Sequence, residues 1–208
     1  MVAGLLETTD GRIHVWRKPI GQLTDKRFTF VFQAPTLMPW ASVQANVRLP
    51  LDLAGVPRAE ANRRVAEALQ LVGLDAFARA LPRALSGGMQ MRVSIARGLV
   101  IQPQLLLMDE PFGALDEITR HKLDADLLAL WRDKKLTVIF VTHSIHEAVF
   151  LSSRVIVMAP RPGRVVEDIA IDAPYPRDAD FMVSPAFSQH AKRLQDALQR
   201  ASKQEALA

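Results

Sequence analysis

Two carboxylates stand side by side at Asp109 and Glu110, directly after the apolar run L-L-L-M of Leu105 to Met108. Such a run reads as a strand buried on both faces of a parallel sheet, and ligands of open α/β sheets bind beyond the carboxyl ends of the strands. An acidic pair there suits phosphate chemistry: Asp109 can hold Mg²⁺ through its water shell while Glu110 orients an attacking water. Taken alone, Asp-Glu after a strand is more often an acidic helix start. A second position is S-G-G at Ser86, Gly87 and Gly88, where the opening of a helix turns unpaired N–H groups outward with no side chain to obstruct a phosphate. A tight turn is the plain alternative. His143 follows the run T-V-I-F-V-T, and a histidine at a strand end is usually structural or solvated. His143 and His146 have the spacing of a metal pair, yet no third ligand stands at matching spacing, so zinc is discounted. Gln33 closes a strand pattern and by itself carries no chemistry.

The elements that must position these residues can be read from periodicity. F-T-F-V-F-Q at Phe28 to Gln33 alternates with period two and predicts a strand, followed by the proline-rich loop A-P-T-L-M-P-W of Ala34 to Trp40. Val65, Ala68, Leu69 and Val72 recur at helical spacing, with Gly73 placed to end the helix begun near Arg58. Ser86 is placed to cap a helix running from Met89 to Val100, ahead of Pro103. Leu105 to Met108, a helix over Ile118 to Trp131 and a second buried strand over Leu136 to Thr142 make a βαβ unit. After a short helix, Val155 to Met158 and Val165 to Ile169 flank P-R-P-G, which predicts a reversal between two strands. Ala191, Leu194 and Leu198 predict a terminal helix over 187–208, most simply packed on the body.

Composition narrows the function classes. With 208 residues, 49% hydrophobic and 23% charged, the chain matches one ordinary globular domain. No apolar run approaches the roughly 18 residues of a membrane-spanning helix, and the start M-V-A-G-L-L-E-T-T-D-G lacks the plan of an export signal. Zero cysteines remove disulfides and thiolate metal sites, which suits a reducing compartment. The net charge of +4 is spread in pairs such as Arg63-Arg64 and Lys134-Lys135, without the clustered basic patch and aromatics of a nucleic-acid binder.

Order and spacing give the isolated motifs weight. L-S-G-G-M-Q-M-R from Leu85 to Arg92, then L-L-L-M-D-E-P to Pro111 and G-A-L-D from Gly113 to Asp116, resemble the signature motif, Walker B strand and D-loop of ABC-type ATPases over nearly the whole chain. The resemblance implies an α/β fold with a P-loop-NTPase-like parallel sheet core and an inserted helical subdomain at about 41–100, in a single domain. It implies ATP and Mg²⁺ as cofactors, with Glu110 polarising water, Asp109 and Gln33 serving the metal, and His143 meeting the γ-phosphate. Ser86, Gly87, Gly88 and Gln90 would close on a nucleotide held by a partner subunit, and Asp116 would reach across that interface. The implied partners are a second copy or paired ATPase subunit and transmembrane permease subunits, with no nucleic acid. The implied location is cytoplasmic, peripheral on the inner face of the cell membrane. L-M-P-W near Gln33, F-G-A-L-D, M-A-P-R-P-G-R and Y-P-R-D point within the family to importers of the nitrate, sulfonate and taurine type.

The pattern departs from the family in one large respect. Nowhere in the 208 residues is there a G-x-x-x-x-G-K-[ST] phosphate loop, nor any Gly-Lys dipeptide. Met1 to Leu6 resembles the end of the helix that follows that loop, so the expectation is a fragment or a longer gene product, lacking the N-terminal strands and a poor ATPase by itself. Met91 and Ser152-Ser153 are smaller departures from the family's usual residues. The alternative reading is a non-catalytic interaction subunit that binds a permease without turning over ATP. A soluble ABC protein of DNA repair or translation is a further rival, but those usually carry a coiled-coil insertion or paired domains.

Overall fold

The computed structural model describes residues 2–3, 6–19, 28–160 and 162–205. Three parallel strands form the sheet that positions the acidic pair: β3 (Phe28–Val31), β4 (Leu105–Asp109) and β5 (Thr137–Val141), in the order β3-β4-β5. Before them lies a short hairpin of β1 (His14–Val15) and β2 (Lys18–Pro19). The resemblance of Met1 to Leu6 to a helix end falls partly on Met1, Gly4 and Leu5, outside the described residues; Val2 and Ala3 form a turn. Because β3, β4 and β5 run the same way, with Val31 level with Met108 and Asp109 level with Val141, their carboxyl ends share one edge.

Three helices stand between β3 and β4. Ser42 caps α1 (Val43–Leu53), its hydroxyl accepting from the Ala45 N–H, and α2 (Arg58–Leu71) follows through Gly55, whose φ of +67° suits a residue without a Cβ. Ser86 caps α3 (Gly87–Leu99) in the same way, accepting from Met89 N at 3.3 Å. One stripe of each helix, including Val47, Leu51, Val65, Leu69, Val93 and Ala96, builds a core of its own. The other side of α3 packs Met91, Ile95 and Leu99 against the sheet and α4 (Glu117–Lys134), so α3 belongs to both cores.

β4 is buried from Leu105 to Met108, as its continuous apolar run predicts. β5 differs from the expectation of a second strand buried on both faces: exposure alternates along it, with Ile139 and Val141 42% and 51% exposed. The exposed positions Thr137, Ile139 and Val141 lie on one face of the strand. β5 has β4 on one edge and no hydrogen-bonded strand among the described residues on the other. Across from that edge stands β6 (Arg154–Ala159), which pairs antiparallel with β7 (Arg164–Ala170) around the expected reversal. Between β5 and β6 lies an apolar trough of about 1020 Å³, floored by Leu127 and Trp131 of α4 and Leu194 of α7 (Pro185–Glu205).

The C-terminal part is fastened by a buried arginine. Arg177, 4% exposed, donates to the carbonyls of Val149, Phe150 and Ser152, at the end of α5 (Ile145–Leu151), and to those of Ile171 and Ala173. Its guanidinium lies 4.2 Å from the Tyr175 ring centre, and burial lowers its pKa from the ordinary arginine value. The short α6 (Ala179–Met182) leads into α7, whose Phe187, Leu194 and Ala197 complete the core over α5 and β6.

Candidate functional site

The shared carboxyl edge of the sheet brings Gln33, Asp109, Glu110 and His143 to one place, since they follow β3, end β4 or follow β4 and β5 directly. His143 Nδ1 lies 3.0 Å from Glu110 Oε2. Glu110 itself has φ +43°, a left-handed conformation that costs a non-glycine residue about 1 kcal/mol or more. It is held there from both sides: its N–H donates to the Val141 carbonyl at 2.9 Å, and its carbonyl accepts from Gly113 N at 3.1 Å. Phe112, fully buried against Phe140, anchors the intervening turn.

Gly113 leaves room for two of these groups. A Cβ on it would lie 3.4 Å from Gln33 Nε2 and 3.6 Å from Glu110 Oε2, in ordinary contact with both. Gln33 and Asp109 are exposed at this edge and offer an amide oxygen and a carboxylate. These are the hard oxygen donors Mg²⁺ takes from a protein when phosphates and waters complete its octahedron. Among the described residues no group of three His, Cys, Asp or Glu could hold a metal unaided.

Ser86, Gly87, Gly88 and Asp116 form a second cluster, and among the described residues no hydrogen bond or ion pair joins it directly to the first. Asp116 caps α4, Oδ1 accepting from Thr119 N at 3.0 Å, and this bond holds its carboxyl below the usual aspartate value. The starts of α3 and α4 touch: a Cβ on Gly88 would fall 2.6 Å from Thr119 Cγ2, and one on Gly87 would meet Leu115 Cδ2 at 3.5 Å. Gln90 Nε2 donates to the carbonyls of Pro82 and Leu85, bracing the turn before Ser86.

Several residues that shape these clusters carried no motif. Arg97, partly desolvated and lowered in pKa by that burial, donates to the carbonyls of Pro35 and Thr36 and so pins the loop after Gln33 onto α3. Buried Asn46 accepts from Met38 N at 2.7 Å and donates to the carbonyls of Met38, Ala41 and Ser42, fixing the proline-rich loop. The readable signal was an amide on the apolar stripe of a helix beside a proline-rich loop. Beneath His143, Glu147 accepts from the Thr142 hydroxyl in a short hydrogen bond and faces Arg120 Nε at 3.6 Å. Nearby Asp124 is fully buried. Arg120 and Asp124 are four residues apart in α4, on the side that also buries Leu123 and Leu127, a placement rare for charged groups.

Comparison with known proteins agrees with this architecture. The family model described as "ABC transporter" matches residues 1–113. The taurine import ATP-binding protein of Rhizobium johnstonii is 50% identical over 171 residues, covering 82% of this chain and 65% of its own length. An ABC transporter ATP-binding protein of Methanocaldococcus jannaschii is 45% identical over 195 residues, covering 93% of this chain and 71% of its own. Among solved structures, cbiO1 of Clostridium perfringens, part of the ABC transporter complex cbiONQ, superimposes with a TM-score of 0.73 at 30% identity over 80% of this chain and 68% of its own. The fold class expected from the motifs is therefore correct, and the chain belongs to the ABC transporter ATP-binding family.

Proposed function

We propose that this chain supplies the hydrolytic edge of an ATP-driven importer motor, coupled to permease subunits at the cytoplasmic face of a membrane and moving taurine, another sulfonate, nitrate or a similar small solute. The observation that carries it is the contact between Glu110 and His143 at 3.0 Å, at the carboxyl edge of a parallel sheet and beside Gln33. Glu110 would align and deprotonate water, with His143 holding its carboxylate in place and meeting the γ-phosphate. Asp109 and Gln33 would hold Mg²⁺, which when bound neutralises phosphate charge. Ser86, Gly87 and Gly88 would present free N–H groups to a nucleotide on a paired subunit, with Asp116 at the same interface. The solute class rests on likeness to relatives named for taurine import.

In this reading α1–α3 form the inserted helical subdomain. Trp40, 78% exposed on the loop that Asn46 and Arg97 fix, would meet the permease. The phosphate loop is the component these 208 residues do not contain. The trough supports a location for it: His143 and Ser144 line one end, so a strand laid parallel to β5 would bring its carboxyl end beside His143. The test is ATP turnover of Glu110→Gln within the assembled transporter. Loss of the general base should lower turnover by about 10²–10³-fold while assembly is retained. Full turnover in the variant would reject the role of Glu110. Assembly with a permease and no turnover in the unmodified complex would favour the non-catalytic interaction subunit.

A further inference from the structure

The two clusters lie on different elements, but one chain of part-buried polar contacts runs between them. The Leu115 carbonyl, in the Gly113–Asp116 loop, accepts from Arg120 Nη2 at 2.9 Å. Arg120 Nε faces Glu147 Oε1 at 3.6 Å, and the Glu147 side chain is 3% exposed. The other Glu147 oxygen accepts the short hydrogen bond from Thr142 Oγ1, and that hydroxyl accepts from Ser144 N at 2.9 Å. Ser144 Oγ in turn accepts from Glu147 N at 3.3 Å. The backbone on both sides of His143 is thus set by Glu147, and Glu147 is set by Arg120. At the far end, Leu115 and Thr119 are the groups that a Cβ on Gly87 or Gly88 would meet, at 3.5 and 2.6 Å.

We propose that Arg120 and Glu147 are positioning residues that transmit a displacement of the Gly113–Asp116 loop to His143, coupling the ligand state of the Ser86–Gly88 cluster to the Glu110–His143 pair. The proposal rests on the functional reading above for what arrives at that loop, but the coupling is a property of this chain alone. Physical reasons favour transmission over plain packing. Arg120 is one rigid planar fork with one branch on the loop and another facing a carboxylate, so it cannot follow one without moving on the other. Among the described residues Arg120 Nε and both Asp124 oxygens lack hydrogen bonds, so the Arg120–Glu147 contact meets no competing hydrogen bond at Nε. No catalytic step is assigned to either residue. Their effect is on where the His143 ring stands.

The experiment needs no nucleotide. The chain holds five histidines, so the His143 ring signals can be assigned in its proton–nitrogen NMR spectrum by their loss in His143→Gln. Asp116→Ala removes the cap on α4 and disturbs the loop. In the otherwise native chain it should displace the His143 ring signals, and in Arg120→Lys most of that displacement should vanish, because lysine lacks the rigid planar fork that spans the loop carbonyl and Glu147. Thr142→Val should abolish the response and Thr142→Ser restore it, which keeps the test open if the arginine variant folds poorly. A response of full size in both Arg120→Lys and Thr142→Val overturns the proposal, whatever their melting temperatures. Turnover lost in Glu110→Gln with no such coupling would leave the functional reading standing and remove this one.

Discussion

Asp124 is a buried carboxyl with no hydrogen-bond partner among the described residues, and its protonation is where single-residue chemistry meets stability. Burial first, and the Glu147 charge second, push its pKa up to about 7, with Arg120 opposing. In an unfolded chain the same group ionises near about pH 3.9, so the folded protein holds the proton more tightly. Its contribution is therefore fully present below about pH 4, falls as pH rises, and is lost above about pH 7. Asp124→Asn keeps the shape without the charge. It should flatten that part of the pH–stability curve and raise stability at pH 8 by about 1–3 kcal/mol, read by urea denaturation at pH 5 and 8. An unchanged slope would mean that Asp124 is ionised in the fold. Asp109, Glu110 and His143 were legible in the sequence because each directly ends or follows a strand with a clear apolar pattern. Asp124, Arg120 and Glu147 were not, because Asp124 and Arg120 of α4 meet Glu147 only when α4 and α5 pack, and the sequence spacing between the helices says nothing of that contact.

At the scale of elements, the close meeting of α3 and α4 gives a steric prediction. Alanine normally stabilises a helix by about 1 kcal/mol over glycine, yet a Cβ on Gly88 would stand 2.6 Å from Thr119 Cγ2. Overpacking of that kind costs about 1–3 kcal/mol. Gly88→Ala should therefore lower the melting temperature, and adding Thr119→Ala should recover most of the loss. Additive losses in the double variant would show that the two helix starts are not in contact. Asn46 makes the opposite case, an amide whose removal strands its partners. Asn46→Ala should cost about 1–3 kcal/mol and raise hydrogen exchange at Met38, which donates to its side chain. The helices were readable from capping serines and helical spacing, and α2 and α3 fall within one or two residues of the expected limits. β5 was readable as a strand but not as a half-exposed one. An apolar run states that both faces want burial, and only topology tells whether a neighbour is there.

At the scale of the molecule, the β3-β4-β5 sheet and the β6-β7 hairpin face each other across the trough, with Ile139, Val141, Ile156 and Met158 more than 40% exposed. Unpaired strand edges and exposed apolar faces invite pairing with another chain. The motifs made the family legible at this scale, but not the trough. No residue pattern in β5 or β6 records which strand lies between them, since either edge offers the same N–H and C=O groups to any partner. In the proposed reading this chain holds the catalytic edge, the partner-facing cluster and the link between them, while its 208 residues contain no G-x-x-x-x-G-K-[ST] loop. Calorimetric titration of Mg²⁺ and ATP into the purified 208-residue chain tests this most directly. The account predicts binding no tighter than about 1 mM, a free energy of about 4 kcal/mol or less. Saturable magnesium-dependent binding in the micromolar range would contradict it.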